Sequence, residues 1–403
     1  MIEDELMNFI FISPNFPATY WNFCDRLHRN GVNVLAIGDA DYNTLDPRLK
    51  WSLQEYYKVD SLENYDQVFR AVAFFSFKYG KIDWLESMNE YWLQQDARLR
   101  TDFNITTGLQ KDQIEFVKEK ALMKIKYQEG GIPTARQHRV STLDAARQFI
   151  DKVGYPVIVK PNIGVGANDT YKISNDRELE KFYREIPRVP YVMEEFIEGN
   201  IYSYDAIVDS KGDPLFESTT AWPPSIMDIV LKKLDLAYYV CAEVPEKLKA
   251  LGRRTVKSFG VTSRFVHLEF FRLDKARKGL GEKGDFVGLE VNMRPAGGYT
   301  PDMMNYAHST DVYKIWADMV TYDKWNGYGA EKEQFCAYAG RRNEVRYIHT
   351  HEEIMEKYGH CMKMQETMPP LNWPQMGNYM YTAVLPDEEA TKEFIAFVQT
   401  RVS

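Results

Sequence analysis

The stretch spanning residues 286–298 places polar side chains at every second position, in a pattern that could do chemistry. If it forms a β-strand, successive side chains point to opposite faces, so Glu290, Asn292 and Arg294 share one face. The opposite face is then apolar and carries Val287, Leu289 and Val291. A carboxylate, an amide and a guanidinium are costly to bury unless something pairs with them, and a divalent metal ion with phosphate would pair with all three. A polar, solvated sheet face is equally compatible with the alternation.

A second strand is predicted over residues 264–272, joined to the first by a charged, glycine-containing tip. Pairing of the two strands sets Glu269 across from Glu290, and the alternation puts His267 and Phe271 on the Glu269 face. Two carboxylates and an amide oxygen suit Mg²⁺, which takes few protein oxygens and completes its shell with water and substrate phosphates. The predicted metal ligands are Glu269, Glu290 and Asn292.

A lysine followed by two glycines marks a candidate phosphate site. Lys160 ends an apolar strand, and Gly164 and Gly166 lie in the turn that follows. Glycines let backbone N–H groups approach phosphate oxygens, while the ammonium supplies positive charge. A plain hairpin turn explains the same residues. Lys120, on a helix predicted over residues 111–128, is by itself an ordinary solvated charge, and its case depends on the other candidates.

An apolar strand beginning at Tyr191 runs into an acidic segment that could hold a purine. That segment consists of Glu194, Glu195, Phe196, Ile197 and Glu198. A base could lie on the apolar Phe196 and Ile197 while backbone atoms meet its edge. An acidic strand end without a ligand explains these residues equally well.

The elements that position these residues predict a mixed α/β and α+β fold. Strands and helices alternate along residues 1–108, which indicates a small open α/β domain whose first strand is buried on both faces. No Gly-x-Gly-x-x-Gly turn follows that strand, so a dinucleotide cofactor is not expected there. Residues 109–330 are predicted to be an α+β unit with antiparallel hairpins, and residues 331–403 a smaller α+β part that closes with a helix.

Composition narrows the class of protein. With 403 residues, 44% of them hydrophobic, the chain is long enough for two or three globular lobes. A net charge of -8 without a run of Lys and Arg argues against nucleic acid as a partner. The four cysteines form no cluster, so neither zinc nor a disulfide framework is indicated. The sequence lacks a signal-peptide pattern and a membrane-spanning apolar run, which predicts a soluble cytoplasmic protein with no membrane partner.

The order of the candidate features resembles that of the ATP-grasp superfamily over about residues 1–320. The features are a helix lysine, a strand lysine with a glycine turn, Glu-Glu-Phe-Ile-Glu-Gly, and a glutamate in a hairpin with Glu-x-Asn-x-Arg. The resemblance implies an N-terminal domain like the one that precedes ATP-grasp in the biotin carboxylase and carbamoyl phosphate synthase branch. An ATP-grasp domain over residues 109–330, with its lid at roughly 135–200, and a C-terminal subdomain over 331–403 would follow.

The resemblance also implies roles for single residues. Lys120 and Lys160 would hold the phosphates of ATP, under a flexible loop that includes Gly164 and Gly166. Arg294 would steady the transferred phosphoryl group or an acyl phosphate. The implied ligands of Mg²⁺, with Mn²⁺ as the alternative ion, are Glu269, Glu290 and Asn292.

For the base, the resemblance implies a hinge at Glu194 and Ile197 that meets adenine through backbone atoms, with Phe271 as an apolar wall under the ring. The family often has an acid after the hinge glycine to hold the ribose, and this chain has Asn-Ile there instead. An acidic ribose contact would therefore have to come from Glu198 or Asp205.

The implied activity is an ADP-forming ligase that phosphorylates a small-molecule carboxylate and joins the acyl phosphate to an amine. One alternative is biotin carboxylase-like use of bicarbonate. The Met-Lys-Met at residues 362–364 resembles a biotinylation motif, but that motif belongs at a hairpin tip in a small all-β domain. A non-catalytic ATP-binding sensor or scaffold is another alternative, disfavoured because a pure binder would not need Arg294. The sequence specifies neither substrate nor pathway, and a homodimer is the default expectation.

Overall fold

The computed structural model describes residues 6–164, 169–185, 189–223, 234–325, 327 and 333–402. Its helices are α1 (Trp21–Arg29), α2 (Pro47–Ser52), α3 (Tyr65–Tyr79), α4 (Leu93–Asp102), α5 (Glu115–Lys118), α6 (Lys120–Glu129), α7 (Leu143–Val153), α8 (Asp176–Glu185), α9 (Glu246–Ser258), α10 (Thr300–His308), α11 (Val312–Tyr322), α12 (His351–Tyr358), α13 (Trp373–Met376) and α14 (Glu388–Gln399). Within these described ranges, none of the helices has the length and apolar character needed to cross a membrane.

The strands are β1 (Asn8–Ile12), β2 (Asn33–Gly38), β3 (Glu55–Lys58), β4 (Trp84–Glu86), β5 (Gln137–Arg139), β6 (Val157–Pro161), β7 (Tyr171–Ile173), β8 (Tyr191–Glu195), β9 (Gly199–Val208), β10 (Pro214–Ser218), β11 (Thr220–Trp222), β12 (Ala237–Val240), β13 (Arg264–Leu273), β14 (Phe286–Asn292), β15 (Phe335–Arg341), β16 (Met362–Thr367) and β17 (Tyr379–Leu385). They form three sheets, each covered by helices.

The N-terminal sheet is parallel, with strand order β3-β2-β1-β4. Both faces of β1 are buried, which explains its continuous apolar run. Phe9 and Phe11 pack into the core beneath α1 and α11, while Ile10 and Ile12 pack into a second core with α3. This is the open α/β arrangement that the sequence predicts for the start of the chain.

The central sheet has nine strands in the order β14-β13-β9-β11-β12-β15-β17-β16, and β10 also pairs with β9. The three C-terminal strands β15, β16 and β17 continue this sheet through the antiparallel pairing of β12 with β15. The predicted domain boundaries therefore stay a prediction, since the last segment shares its sheet with the middle one. Residues 362–364 lie inside β16, not at a hairpin tip.

The third sheet, β5-β8-β6-β7, is antiparallel and packs α7 and α8 on one face. Val157 and Val159 of β6 point into that small core. Strand alternation then directs Lys160, like Glu194 of the neighbouring β8, to the opposite face. Both charged side chains thereby leave the apolar core and face helix α6.

The long helix predicted over residues 111–128 is in fact two helices, because Glu119 between α5 and α6 has an extended backbone with φ -91° and ψ 114°. Asn162 fills the break. Its backbone carbonyl accepts from the Lys120 N–H at 3.0 Å, and its side-chain oxygen accepts from the Ala121 N–H at 3.0 Å. Lys120 is consequently the first residue of α6, held against the end of β6.

A β-bulge in β14 corrects the predicted alternation of that strand. Glu269 pairs with Glu290, but the next residue of β13 pairs with Gly288, so Leu289 is an extra residue without a partner. Val287 is therefore not on the face of Val291. It packs in a small apolar cluster, whereas Val291 belongs to the large core under the sheet.

Candidate functional site

The face shared by β13 and β14 brings the predicted metal ligands together. Glu269 lies directly opposite Glu290, and His267 lies opposite Asn292. The Glu269 and Glu290 side chains are 23% and 24% exposed, while Asn292 is buried. Two carboxylates and one amide oxygen thus sit within two residue pairs of each other at an accessible edge, as the sequence predicts, and their role as ligands stays a prediction.

Helix α6 presents two lysines one turn apart to this face, Lys120 and Lys124. The Lys120 ammonium lies 3.2 Å from Glu290 Oε1 and donates to the Gly164 carbonyl oxygen at 3.2 Å. The helix lysine, the glycine turn and the hairpin carboxylate therefore meet at one point. Gly166, the other predicted residue of that turn, lies outside the described residues.

Glu194 ties the strand lysine to the helix. Its carboxylate lies 2.7 Å from the Lys160 ammonium and 3.1 Å from that of Lys124, and it accepts from the Gln137 amide at 2.9 Å. Burial alone would raise the pKa of Glu194, but Lys124 and Lys160 hold it well below its ordinary value. The Glu194 side chain therefore contacts lysines, and its backbone lies between the paired strands β5 and β6, so the predicted contact with a base stays a prediction. Lys124 and Gln137 were not among the predicted site residues, although the i, i+4 spacing of Lys124 from Lys120 places both lysines on one face of the helix.

The other two acids of the predicted hinge also have cationic partners. Glu195 is buried and lies 2.7 Å from Arg136 and 2.9 Å from Arg277. Glu198 lies 2.7 Å from Lys275, and both of these side chains are exposed. Of the two, only Glu198 presents its carboxylate to solvent, while Glu195 anchors the strand end to the β13–β14 tip.

An apolar patch lies beside the charged face. Its members are Ala135, Ile197, Leu273 and Val287, with Phe271 and Leu280 packed against them. The bulge in β14 contributes Val287 to the same face as Glu290, next to Phe271, its partner on β13. The apolar surface predicted to lie under the adenine ring is therefore formed by residues of both β13 and β14. Phe196 is outside this patch, with the Lys172 ammonium 4.2 Å from its ring centre.

Arg294 lies two residues after the end of β14, and its charge acts on Tyr20 of the N-terminal part of the chain. One guanidinium nitrogen donates to the Pro295 carbonyl oxygen at 2.7 Å. Burial raises the pKa of Tyr20, and the nearby charge of Arg294 offsets part of that rise. Tyr20 immediately precedes α1 and donates to the Met88 carbonyl oxygen at 2.9 Å, so the N-terminal α/β part of the chain lies near Arg294.

His267 joins the metal-ligand candidates to a buried polar network. Its Nδ1 lies 2.6 Å from Asp205 and its Nε2 3.3 Å from Glu269. Burial would lower the pKa of His267, but Asp205 and Glu269 raise it to about 9. Asp205 also accepts a hydrogen bond from Ser203 and is fully buried, which removes it as a ribose contact. Ser203 donates to the acid and not to the imidazole, so these residues are not a nucleophilic triad.

Burial alone would raise the pKa of Glu269 as well. The hydrogen bond from His267 holds this pKa below its ordinary value, and the charges of Arg294 and Lys160 act in the same direction. Lys160 shows the converse: burial would lower its pKa, but the carboxylates of Glu194 and Glu290 raise it. Glu269 and Lys160 are thus both favoured in their charged forms, which suits recognition of a metal ion and phosphate oxygens, whereas burial lowers the pKa of Lys124.

Comparison with known proteins shows which families and proteins the chain is similar to. The ATP-grasp domain family matches residues 153–301. The L-arginine-specific L-amino acid ligase of Bacillus subtilis is 25% identical over 290 residues, which is 68% of this chain and 65% of that protein. The chain thus spans less than two thirds of the length of this curated relative.

Solved structures agree on the fold. An L-amino acid ligase from Bacillus licheniformis superposes with a TM-score of 0.71 and 16% identity, covering 99% of both chains. The biotin carboxylase domain dimer of the 2-oxoglutarate carboxylase from Hydrogenobacter thermophilus, solved with MgADP and bicarbonate, gives a TM-score of 0.66 and 14% identity over 99% of this chain and 90% of that one. The predicted fold class and the resemblance to ATP-grasp proteins are confirmed, with the ATP-grasp domain family matching residues 153–301 of the chain.

Proposed function

We propose that the protein is an ATP- and Mg²⁺-dependent, ADP-forming ligase that activates a small-molecule carboxylate and joins it to an amine. The similarity to two L-amino acid ligases supports an amino acid as the carboxylate substrate. The observation that carries the proposal is the 3.2 Å contact between the Lys120 ammonium and Glu290 Oε1. It brings the lysine of α6 that is predicted to bind phosphate and the carboxylate of β14 that is predicted to bind the metal ion into one site.

The donor set fits Mg²⁺. Glu269, Glu290 and Asn292 would offer it a few oxygens, which leaves the other positions of an octahedral shell to water and phosphate. Across the part of the chain that the structure describes, no group of three or more His, Cys, Asp or Glu side chains is arranged to hold a metal ion. Two carboxylates and an amide are expected to bind the metal ion only weakly without phosphate, which suits an ion that binds together with a nucleotide.

When bound, ATP with Mg²⁺ supplies the phosphoryl group that activates the carboxylate. A substrate carboxylate oxygen forms the bond to the γ-phosphorus as the bond to ADP breaks. The amine nitrogen then attacks the acyl carbon, phosphate leaves with the bonding electron pair, and the nitrogen loses a proton. Lys120, Lys160 and Arg294 would orient the phosphates and offset their charge, which is most of what phosphoryl transfer requires from a protein.

The test is an ADP-release assay against pools of amino acids and other carboxylates, with and without amines. Turnover that depends on both a carboxylate and an amine supports the ligase. Turnover with bicarbonate alone would favour carboxylase-like chemistry, and ATP binding without turnover a sensor.

Arg294→Ala should lower turnover by roughly 10³-fold or more, because an arginine that stabilises the transferring group contributes that much, while ADP binding persists. Arg70→Ala, on the exposed face of α3, is the matched control. Wild-type turnover in the Arg294 variant would refute its assigned role.

A homodimer is the proposed assembly, as in the biotin carboxylase domain, and light scattering on the peak eluted from a size-exclusion column tests it.

A further inference from the structure

His267 is a buried residue of β13 that faces two acids and is absent from the chemistry described so far. Its side chain is 5% exposed, with Asp205 2.6 Å from Nδ1 and Glu269 3.3 Å from Nε2. Carboxylates accept hydrogen bonds and do not donate them, so a proton on each ring nitrogen would serve both acids. We propose that His267 is a positioning residue that holds Glu269 by one oxygen and leaves its other oxygen to the metal ion, an inference that rests on the proposed function.

The imidazole cannot turn away, because its other side is anchored. Asp205 is fully buried and accepts from the Ser203 hydroxyl, whose oxygen accepts from the Thr220 N–H at 3.0 Å. The network crosses three neighbouring strands, β11, β9 and β13. The edge of Trp222 covers the ring, with centroids 5.5 Å apart and planes at 73°. Nε2 of His267 therefore faces Glu269 Oε1 from a fixed position.

Glu269 needs such a partner because of its place in the ladder. It lies directly opposite Glu290, and like charges at opposed positions of an antiparallel pair repel. The two acids are held separately: Glu290 Oε1 by Lys120 at 3.2 Å, and Glu269 Oε1 by His267 at 3.3 Å. Each carboxylate thus has one oxygen in contact with a nitrogen of its own partner.

A carboxylate with one oxygen occupied binds a metal ion through the other. Single-oxygen ligation suits Mg²⁺ and its octahedral shell, whereas Ca²⁺ takes more oxygens and often binds both oxygens of one carboxylate. Hydrogen-bonding partners of metal ligands commonly contribute 10- to 100-fold to metal affinity. The geometry therefore predicts that His267 favours Mg²⁺ over Ca²⁺ at Glu269.

The test compares His267→Gln, His267→Asn and His267→Ala by calorimetric titration of ADP in Mg²⁺, in Ca²⁺ and without divalent metal. The Gln amide reaches about as far as Nε2 and can still donate to Glu269, while the Asn amide reaches only toward Asp205. We expect Asn and Ala to weaken the metal-dependent part of ADP binding by about 10- to 100-fold and to reduce the preference for Mg²⁺ over Ca²⁺. Gln should retain both, and metal-free ADP binding should be equal in all four proteins.

Wild-type metal dependence in Asn and Ala would overturn the inference, and so would an equal loss of metal-free ADP binding in all three variants, which would mean a structural role only. If Ala does not fold, the Gln and Asn pair provides the same contrast. ADP binding by the wild type that does not depend on metal would overturn the proposed function together with this inference. Metal-dependent wild-type binding that the variants leave unchanged would overturn the inference alone.

Discussion

Two clusters of charged side chains lie along β13, one at its start and one near its middle, and they contain different cationic residues. The junction cluster, between the N-terminal sheet and the start of β13, comprises Glu86, Asp96, Arg100 and Arg264. The site cluster, facing the later part of the strand, comprises Lys120, Lys124, Lys160, Glu194, Glu269, Glu290 and His267. One is built on arginine and the other on lysine and histidine.

In the junction cluster both guanidinium groups contact Glu86, and Arg100 is held in several directions. Arg264 donates to Glu86 at 2.7 Å, and Arg100 lies 3.3 Å from the same carboxylate. Arg100 also donates to the backbone carbonyls of Leu85 and Leu109 at 2.7 and 2.8 Å. The planar fork of Arg100, held at three points, has little freedom to turn to a new partner, so we assign this cluster a structural role.

In the site cluster the cations are ammonium groups on flexible stems. Lys160 and Lys124 share Glu194, and Lys120 shares its donors between Glu290 and a carbonyl. A lysine can exchange one acceptor for a phosphate oxygen while the acid keeps another partner. The difference teaches that rigid pairing marks structure in this molecule, and shared, exchangeable pairing marks the site.

The largest difference between the two clusters is expected when the central acid of each is replaced, and it should appear in the free energy of unfolding. Glu86→Gln leaves two buried guanidinium groups that cannot lose their protons, and we expect the free energy of unfolding to fall by about 3 to 5 kcal/mol. Glu194→Gln leaves two buried lysines, which can lose a proton, so its cost should be clearly smaller. Denaturant titration of both variants measures the difference, and equal losses would contradict the contrast.

Asp96 should give the junction cluster a pH dependence. Burial and the charge of Glu86 raise the pKa of Asp96 to about 7, with Arg100 acting in the opposite direction. The folded protein then holds this proton between about pH 4 and pH 7 while the unfolded chain releases it, so stability falls as pH rises through that window.

Asp96→Asn removes that loss and keeps an oxygen for the two hydrogen bonds from Ser87. The variant should be more stable than wild type at pH 8, by up to about 4 kcal/mol, and equal to it near pH 4. Denaturation curves at several pH values test this, with the exposed Asp112→Asn as control. A variant with the pH profile of the wild type would show that Asp96 is ionised throughout.

Lys160 should matter for ligand binding more than for folding. In Lys160→Met, Glu194 retains Lys124 at 3.1 Å, so the folded state persists, but a charged hydrogen bond to phosphate is lost. Such a bond contributes about 1.5 to 3 kcal/mol, or roughly 10- to 100-fold in ADP affinity. Calorimetry should show that loss, whereas Lys152→Met, an exposed lysine on α7, should bind as wild type. An unchanged affinity in Lys160→Met would remove this residue from the site.

Much of this could be predicted from sequence because strand alternation and residue order are local properties. The pairing of Glu269 with Glu290 followed from two apolar patterns joined by a tip. The bulge at Leu289 could not be predicted, since it depends on how two strands fit together and leaves the apolar pattern unchanged.

Long-range partners were the other limit. The break between α5 and α6 depends on Asn162, which lies some 40 residues further along the chain. The pairing of His267 with Asp205, on a neighbouring strand, was equally hidden, although the alternation did place His267 on the Glu269 face. Patterns within one element predicted the elements and the order of the site residues, but not the contacts that decide which acids are free.

The smallest expected effect on stability concerns the tip between β13 and β14, where two basic residues that lie two positions apart can be compared directly. Arg277 lies against the buried Glu195, while Lys275, two residues away, pairs with the exposed Glu198. Exposed pairs add little because water screens them and both side chains lose rotamer freedom. Lys275→Ala should leave the denaturation midpoint unchanged, whereas Arg277→Ala should lower it, by about 1 kcal/mol in unfolding free energy, since Glu195 keeps Arg136. If Lys275→Ala were the more damaging change, exposure would not separate structural from incidental pairs in this molecule.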